Sequence, residues 1–266
     1  MKEATLNSII SDSNSEGNQY SFKKIILIWL LSALPMGFLA FVGTPLLGGI
    51  VDWPIEIVYW CMINVGLIWQ FFLSLIILKL DGNTFDRSTI INRLKFKSPV
   101  NPKTGKSNNW LLLWVVPFIL INAFLQTGIG IPNFDHLLAF ITDYLPKYDL
   151  SVLATRDYKG AWWLLIPYCI TFIFNYFLGE ELIYRAILLP KMNGVFGKWD
   201  WFINGILFGF YHLHKPHIIV GTALFFGFVF AFPSKLFQSS WMSLIIHGLE
   251  GILGFIIIIG VILGMG

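Results

Sequence analysis

One apolar stretch of the chain carries three charged side chains that are costly to bury. Residues 174–190 read FNYFLGEELIYRAILLP and contain Glu180, Glu181 and Arg185. Ionisable groups inside an apolar segment are expensive, so they are candidates for function by default. A carboxylate in such a place can act as a general base that activates water. The stretch therefore marks the first candidate site.

The two glutamates are expected to have different partners. Glu181 and Arg185 are four residues apart, with the acid on the N-terminal side, which favours an ion pair on one face of a helix. Glu180 points about 100° away and has Tyr184 as its nearest neighbour one turn on. An unpaired carboxylate in apolar surroundings is poised to act as a base. The alternative is that these charges only hold neighbouring helices together.

Two further apolar stretches carry histidines. NGILFGFYHLHKPH contains His212 deep in the apolar run, whereas His214 and His217 fall at its end and are expected to be interfacial or loop histidines. SLIIHGLEGILG contains His247, and Glu250 lies three residues later near the same helical face. A histidine on a membrane helix can also be a packing residue that only bonds to a neighbour. Asn175, in the stretch with the glutamate pair, and Asn204, in the first histidine stretch, are expected only to form hydrogen bonds between helices.

A glutamate pair and two histidines on three apolar segments allow two kinds of chemistry. One is a metal site of the His/Glu type with an open position for water. If a metal such as zinc is present, its ligands are expected to be Glu180, His212 and His247. The other is metal-free: a general base acts on water, and hydrogen-bond donors stabilise the oxyanion. Either arrangement hydrolyses an amide, and the residue types leave open whether the cofactor is zinc or none.

The composition indicates the surroundings of these groups. Charged residues make up 12% of the 266 residues, against about 25% in a soluble domain. Hydrophobic residues make up 56%, and the mean hydropathy is +0.71. Such a chain has too little charge to cover the surface of a soluble globule. The net charge of +3 gives no indication of a nucleic-acid partner, and the expected surroundings are the lipid bilayer.

Seven apolar segments are long, or nearly long, enough to cross a bilayer, which takes about 20 residues. They lie at residues 25–48, 55–80, 110–130, 161–190, 199–213, 217–233 and 240–264. Tryptophan and tyrosine mark several of their ends, as interfacial anchors do. Their hydrophobicity is continuous rather than alternating, which is typical of helices. We therefore predict an all-α fold, a polytopic transmembrane helix bundle of about seven spans.

Basic loops predict the orientation of the chain. The loop at 81–109 is rich in lysine and arginine, whereas the intervening loops are acidic. The positive-inside rule places the N-terminus of this multi-pass protein of the cell membrane in the cytoplasm, and we expect the site to open on that side.

The segment 85–97 is either a short amphipathic helix on the membrane or a solvated loop. We divide the chain into a polar segment (1–22), N-terminal helices with a basic loop (23–160) and a C-terminal bundle (161–266).

Three sequence patterns together resemble those of the CAAX protease and bacteriocin-processing family of intramembrane proteases, also called the CPBP or Abi family. The family pattern is EExxxR on one helix, FxxxH on the next and HxxxN or HxxxD on a later one. Here they appear at residues 180–185 (EELIYR), 208–212 (FGFYH) and 247–251 (HGLEG). The resemblance covers roughly residues 160–255, and all three motifs in this order are hard to obtain by chance.

The resemblance implies an intramembrane endopeptidase that cuts a membrane-associated peptide or protein. It implies that Glu180 is the general base, that His212 helps to hold the water, and that His247 stabilises the oxyanion with the residue four positions later. Three residues are assigned to supporting positions: Glu181, Arg185 and Glu250. Members of the family are described both as metalloproteases and as metal-free glutamate proteases, so the resemblance also leaves a zinc ion open.

One position departs from the family pattern. Gly251 stands where the family has asparagine or aspartate, so the side chain that would assist His247 is missing. A protonated Glu250, a backbone N–H or a water could take its place. The departure motivates a second hypothesis, a non-catalytic family member that acts as a membrane scaffold or bacteriocin-immunity protein.

A third hypothesis, an ion-coupled transporter, predicts polar residues in both halves of the chain, whereas they are concentrated in the C-terminal half.

Overall fold

The structure is a computed structural model of the chain, and it describes residues 19–126, 144–148, 150–155, 157–215 and 224–265. We label its main helices α1 (Phe22–Gly48), α2 (Ile55–Leu80), α3 (Arg87–Arg93), α4 (Val115–Gln126), α5 (Trp162–Lys191), α6 (Asp200–Tyr211), α7 (Leu224–Leu236) and α8 (Trp241–Leu263). Short helical turns lie at Asn109–Trp114, Leu150–Ala154, Asn193–Phe196, Gly197–Trp199 and His212–His214.

The helices follow the predicted apolar segments. Within the described residues, α1, α2, α5 and α8 have the length and hydropathy to cross a membrane, and Asn109–Leu125 and Phe225–Leu236 are shorter apolar helices. With α6, each of the seven predicted segments contains a helix. The same residues hold no β-strand, only an isolated bridge between Val100 and Ser107. The predicted all-α, multi-pass membrane bundle is confirmed.

One end of the bundle collects the basic loops. Asp81, directly after α2, accepts hydrogen bonds from Lys24 at 2.6 Å and from Arg93 at 3.0 Å. Lys235 near the end of α7 pairs with Asp200 at the start of α6. We call this the basic end. Since α1, α6 and α8 begin there and α2, α5 and α7 end there, consecutive spans run in opposite directions. Its position in the cytoplasm stays a prediction.

Part of the basic loop folds into α3. The Asp86 carboxylate caps this helix by accepting a hydrogen bond from the backbone N–H of Thr89 at 2.9 Å. Leu94, just after the helix, is buried, and Ile90 packs against the same core. Of the two alternatives for segment 85–97, the structure shows the short helix, and apolar burial on one side of it holds the loop against the bundle.

The helix that carries the glutamate pair is irregular at the pair itself. Two π-helical turns, Phe174–Leu178 and Leu182–Leu188, interrupt α5, with Gly179 between them. A Cβ at Gly179 would lie 2.4 Å from the carbonyl oxygen of Phe174 and 3.1 Å from that of Leu67 on α2. Only glycine therefore permits this close approach of α5 to α2. Such π-bulges within helices are frequent at functional sites.

Candidate active site

The glutamate pair is buried at the centre of the bundle. Glu180 and Glu181 are each 3% exposed, and residues 182–189 are buried on every side. Oε1 of Glu181 lies 3.5 Å from Nη1 of Arg185 and 3.1 Å from Nδ1 of His247 on α8. The predicted contact of Glu181 with Arg185 is present. The same oxygen also joins α5 to α8, which the spacing along α5 does not indicate.

The guanidinium of Arg185 lies over the ring of Phe208. Its Cζ is 3.8 Å from the ring centroid, a distance at which the ring face attracts a cation. Phe208 is the first residue of the FxxxH motif, and sequence reasoning assigned it no part in the site. The Arg185 charge is thus accommodated by the Glu181 carboxylate on one side and an aromatic face on the other.

His247 has a carboxylate beside each ring nitrogen. Nδ1 faces Glu181, and Nε2 lies 3.8 Å from Oε2 of Glu250. The other Glu250 oxygen, Oε1, accepts a hydrogen bond from the side-chain amide of Asn122 on α4. Asn122 is 3% exposed, and sequence reasoning missed it. The available signal was a polar residue within an apolar helix. The N-terminal helices thus supply an amide next to His247.

Tyr176 explains the glycine that departs from the family pattern. A Cβ at Gly251 would lie 2.6 Å from Cδ2 of Tyr176 and 2.8 Å from Cδ2 of Phe172. The Tyr176 ring packs edge-on against His247, with 4.8 Å between ring centroids and 79° between the planes. Tyr168 donates its hydroxyl to the carbonyl oxygen of Gly251. An aromatic ring with a hydroxyl therefore occupies the space that a side chain at position 251 would need.

His212 directly follows α6 and is oriented by the backbone. Its Nδ1 lies 2.9 Å from the carbonyl oxygen of Phe208. In the tautomer that donates this hydrogen bond, Nε2 is an acceptor. The His212 ring also lies edge-on to the Phe208 ring, at 4.7 Å between centroids. Phe208 thus positions both Arg185 and His212, which accounts for a phenylalanine four residues before the histidine.

The other histidines differ from expectation or fall outside the structure. His214, expected at an interface or in a loop, lies in the turn after α6 and is buried at 3% exposed. Its Nδ1 lies 3.2 Å from the carbonyl oxygen of Tyr211, and its own carbonyl oxygen accepts a hydrogen bond from the Tyr59 hydroxyl at 3.3 Å. It is buried because the turn after α6 packs against α2. His217 lies outside the described residues.

Glu180 faces polar groups that come from α2 and α6. The Tyr211 hydroxyl lies beside the Glu180 carboxylate, with the Gln70 amide next to it. Within the described residues, the Tyr211 hydroxyl and both polar atoms of the Gln70 amide form no hydrogen bond of normal geometry. Buried polar groups are nearly always partnered. This group of three side chains therefore has hydrogen-bonding capacity for a small polar molecule such as water.

A cavity of about 430 Å³ lies among α2, α5 and α8, and Glu180 is not one of the residues that line it. Tyr176 and Lys215 line it, and both interact electrostatically with Glu180. The rest of the wall comes from the N-terminal half of α2, the turn Leu150–Ala154 and the C-terminal half of α8. These segments lie away from the basic end. We expected the site to open on the basic side; this cavity lies in the opposite half of the bundle, and the side on which the site opens stays a prediction.

The two asparagines also differ from one another. Asn204 donates its amide to the carbonyl oxygen of Tyr184 at 2.8 Å, which is the expected bond between helices. Asn175 lines the cavity instead. It adjoins Tyr176 in the π-helical turn of α5, and this turn rotates both side chains towards the cavity.

The residues named as ligands for a zinc ion do not form a metal site. Among the described residues, no group of three or more His, Cys, Asp and Glu side chains has a geometry that could hold a metal ion. Glu180, His212 and His247 are therefore separate polar groups in the described structure, and the two histidines lie against the ring of Phe208. They have the donor types of a zinc site but are not grouped as one in this part of the chain, and no step below uses a metal.

A C-terminal region of about a third of the chain matches a known family. Residues 161–253 match the family model described as type II CAAX prenyl endopeptidase Rce1-like. The matched region begins at the start of α5 and contains all three motifs, whereas α1 to α4 lie outside it. Comparison with curated proteins and with solved structures found no match. The resemblance carried by the three motifs is thus confirmed: over residues 161–253 the chain is Rce1-like, similar to the type II CAAX prenyl endopeptidases of the CPBP family.

Proposed function

We propose that this protein is an intramembrane endopeptidase that hydrolyses a peptide bond in a membrane-associated peptide or protein. The family match supports a membrane protease. The observation that carries the proposal is the convergence of the motif residues: α5 brings two buried glutamates, α6 brings His212 and α8 brings His247 to one buried region. A nearby cavity is lined by Tyr176 and Lys215, both of which interact electrostatically with Glu180.

Glu180 is the general base in this proposal. Glu181 is engaged by Arg185 and His247, whereas Glu180 forms no ion pair within 4 Å among the described residues. Glu180 takes a proton from water as the water oxygen bonds to the carbonyl carbon of the scissile peptide. The same proton then passes to the amide nitrogen, and the C–N bond breaks. His212 accepts the second hydrogen of the water at Nε2 and so orients it.

Donors to the oxyanion come from His247 and Tyr176. The Glu181 carboxylate, 3.1 Å from Nδ1, orients the ring of His247, and Nε2, which lies 3.8 Å from the nearest Glu250 oxygen and so beyond hydrogen-bond distance of it, is the nitrogen that donates to the oxyanion. The Tyr176 hydroxyl is the second donor in this proposal, since its ring packs against both His247 and the position of Gly251. Two aligned donors in a water-poor site stabilise a tetrahedral intermediate far better than water does. Tyr176 takes the part that the family pattern gives to the residue four positions after the histidine.

The non-catalytic alternative was motivated by Gly251. The contacts of the Tyr176 ring give that glycine a steric reason, because a side chain at position 251 would meet the ring. The departure from the pattern therefore no longer favours a scaffold or immunity protein over an enzyme. The natural substrate is expected to be a membrane-associated peptide or protein that reaches the cavity from the bilayer.

The test is cleavage of a membrane-tethered peptide library by the full chain in lipid vesicles. Glu180→Gln is expected to abolish cleavage and to leave helix content and Tm unchanged, because the amide keeps the shape of the side chain and cannot accept a proton. Glu56→Gln, the same change in the first turn of α2, is the matched control and is expected to cleave normally. Cleavage is expected to persist in chelator. A folded Glu180→Gln protein that still cleaves contradicts the proposal.

A further inference from the structure

A second polar pocket lies at the basic end of the bundle. Its volume is about 180 Å³, and Leu189 and Pro190 form its apolar wall. The polar lining consists of Lys95, Arg185, Ser234, Lys235, Gln238 and Ser240. Three of these side chains are cations, and the described lining contains no acid. A confined space with several cationic and hydroxyl donors favours an oxyanion.

Lys95 brings a charge to this pocket that has no counter-ion among the described residues. The neighbouring Lys235 is paired with Asp200. Lys95 forms no such ion pair, and its backbone is held in place because its carbonyl oxygen accepts a hydrogen bond from Ser240 at 3.0 Å. Burial, followed by repulsion from Lys97 and other cations of the basic end, holds the pKa of Lys95 below its usual value. A bound anion would relieve this repulsion.

Arg185 adds hydrogen-bond donors to the inner wall. It is 1% exposed, and its Nε, Nη1 and Nη2 atoms have no hydrogen-bond partner within the described part of the chain. A guanidinium carries five N–H donors in a planar fork. The Glu181 carboxylate, 3.5 Å from Nη1, balances the charge of the guanidinium but accepts no hydrogen bond from it. Buried donors of this kind are rarely left without a partner, so the fork has capacity for an oxyanion in the pocket.

The backbone around the pocket adopts a costly conformation at two positions. Lys95 (φ 56°) and Gln238 (φ 49°) are the described non-glycine residues with a left-handed backbone, and both line the pocket. Ser240 joins their two loops by donating its hydroxyl to the carbonyl oxygen of Leu94 at 2.6 Å. Unfavourable backbone of this kind persists where surrounding contacts enforce it, and it is concentrated at ligand sites.

We propose that this pocket binds a phosphate group, held by the charged side chains of Lys95, Arg185 and Lys235. Gln238 and the serine hydroxyls add neutral donors. The volume admits one group of this size and excludes a folded peptide segment. The phosphate belongs either to the headgroup of an anionic lipid, since the basic end lies at the ends of membrane spans, or to free phosphate in solution. The pocket shares Arg185 with the candidate active site, but the experiments below measure phosphate binding and Tm and need no cleavage.

Binding of inorganic phosphate to the full chain in neutral detergent is the first measurement, with sodium chloride at equal ionic strength as the reference. Lys95→Gln is expected to weaken binding about tenfold, as loss of one charge-assisted hydrogen bond does. Gln238→Lys, at an exposed position, is expected to tighten it. Lys103→Gln removes an exposed lysine that does not line the pocket and is the matched control. Loss of folding would weaken phosphate binding in both pocket variants, so weaker binding by one and tighter binding by the other exclude it as the cause.

Reconstitution into vesicles distinguishes the two sources of phosphate. If phosphatidylglycerol vesicles raise the Tm relative to phosphatidylcholine vesicles, and Lys95→Gln removes that rise, the pocket takes a lipid headgroup. If inorganic phosphate raises the Tm in phosphatidylcholine vesicles and Lys95→Gln removes that rise, it takes free phosphate. An equal response of wild type, Lys95→Gln and Lys103→Gln overturns the proposal, as does the absence of any response to either source.

Discussion

The ring of Tyr176 occupies the space into which a side chain at Gly251 would project. The two residues lie on different spans, α5 and α8, and a Cβ at position 251 would be 2.6 Å from the Tyr176 ring. The ring in turn packs against His247. This relationship joins the departure from the family pattern to the catalytic proposal, because the residue that excludes asparagine carries a hydroxyl of its own.

Removal of the Tyr176 hydroxyl is expected to lower the rate of cleavage without unfolding the protein. Tyr176→Phe keeps the ring that packs on His247 and loses the donor, so kcat is expected to fall by about 10²–10³, the effect of losing one oxyanion donor. Peptide cleavage and Tm are measured on the same sample. Tyr144→Phe, at an exposed tyrosine, is the control. A kcat equal to that of the control would show that Tyr176 only packs.

A methyl group at position 251 is expected to destabilise the bundle. In Gly251→Ala the new Cβ meets Tyr176 and Phe172, and overpacking of this kind costs about 1–3 kcal/mol. Gly260→Ala on the same helix is the matched control, since nothing lies within 4 Å of its added Cβ. Chemical or thermal unfolding in detergent compares the two variants. Equal stability of both would mean that the Tyr176 ring can move aside.

The two glutamates are expected to respond differently to the same substitution. Glu181→Gln removes the carboxylate beside Arg185 and His247 and leaves a buried cation without its counter-ion, which costs about 3–5 kcal/mol. Glu180→Gln is expected to lose cleavage at nearly unchanged stability. The Tm of each variant is measured first. The cleavage rates of both are then compared at a temperature below the lower of the two Tm values. A Glu181→Gln protein as stable as Glu180→Gln would contradict the assigned partners.

Asp81 is expected to make the basic end sensitive to acid. Burial raises the pKa of Asp81, but hydrogen bonds from Lys24, Tyr20 and Arg93 outweigh it and hold the pKa below the usual 3.8. A lowered folded-state pKa contributes stability above pH 3.8 that is lost as the pH falls through the folded-state value. The Tm difference between wild type and Asp81→Asn should therefore be largest near neutral pH and shrink in acid. A difference independent of pH would contradict this expectation.

Much of the fold could be predicted because its causes lie in composition and local spacing. A chain with few charges and seven apolar segments must satisfy its backbone hydrogen bonds within helices when it lies in lipid. The contact of Glu181 with Arg185 follows from a spacing of one helical turn. The three motifs, with His212 and His247, could be recognised because each lies within a few consecutive residues.

Other features required the tertiary structure because they join residues far apart in the chain. Asn122 reaches Glu250 across 128 positions, and no spacing rule predicts such a pair. The π-helical turns on either side of Gly179, next to the buried Glu180 and Glu181, are not predicted by a regular helical repeat. The side of the bundle on which the cavity lies and the reason for Gly251 depend on how aromatic rings of α5 pack against α8. Whether a segment forms a helix depends on residues close to it in the sequence. How the helices pack against one another depends on the whole bundle, so only the tertiary structure decides the packing.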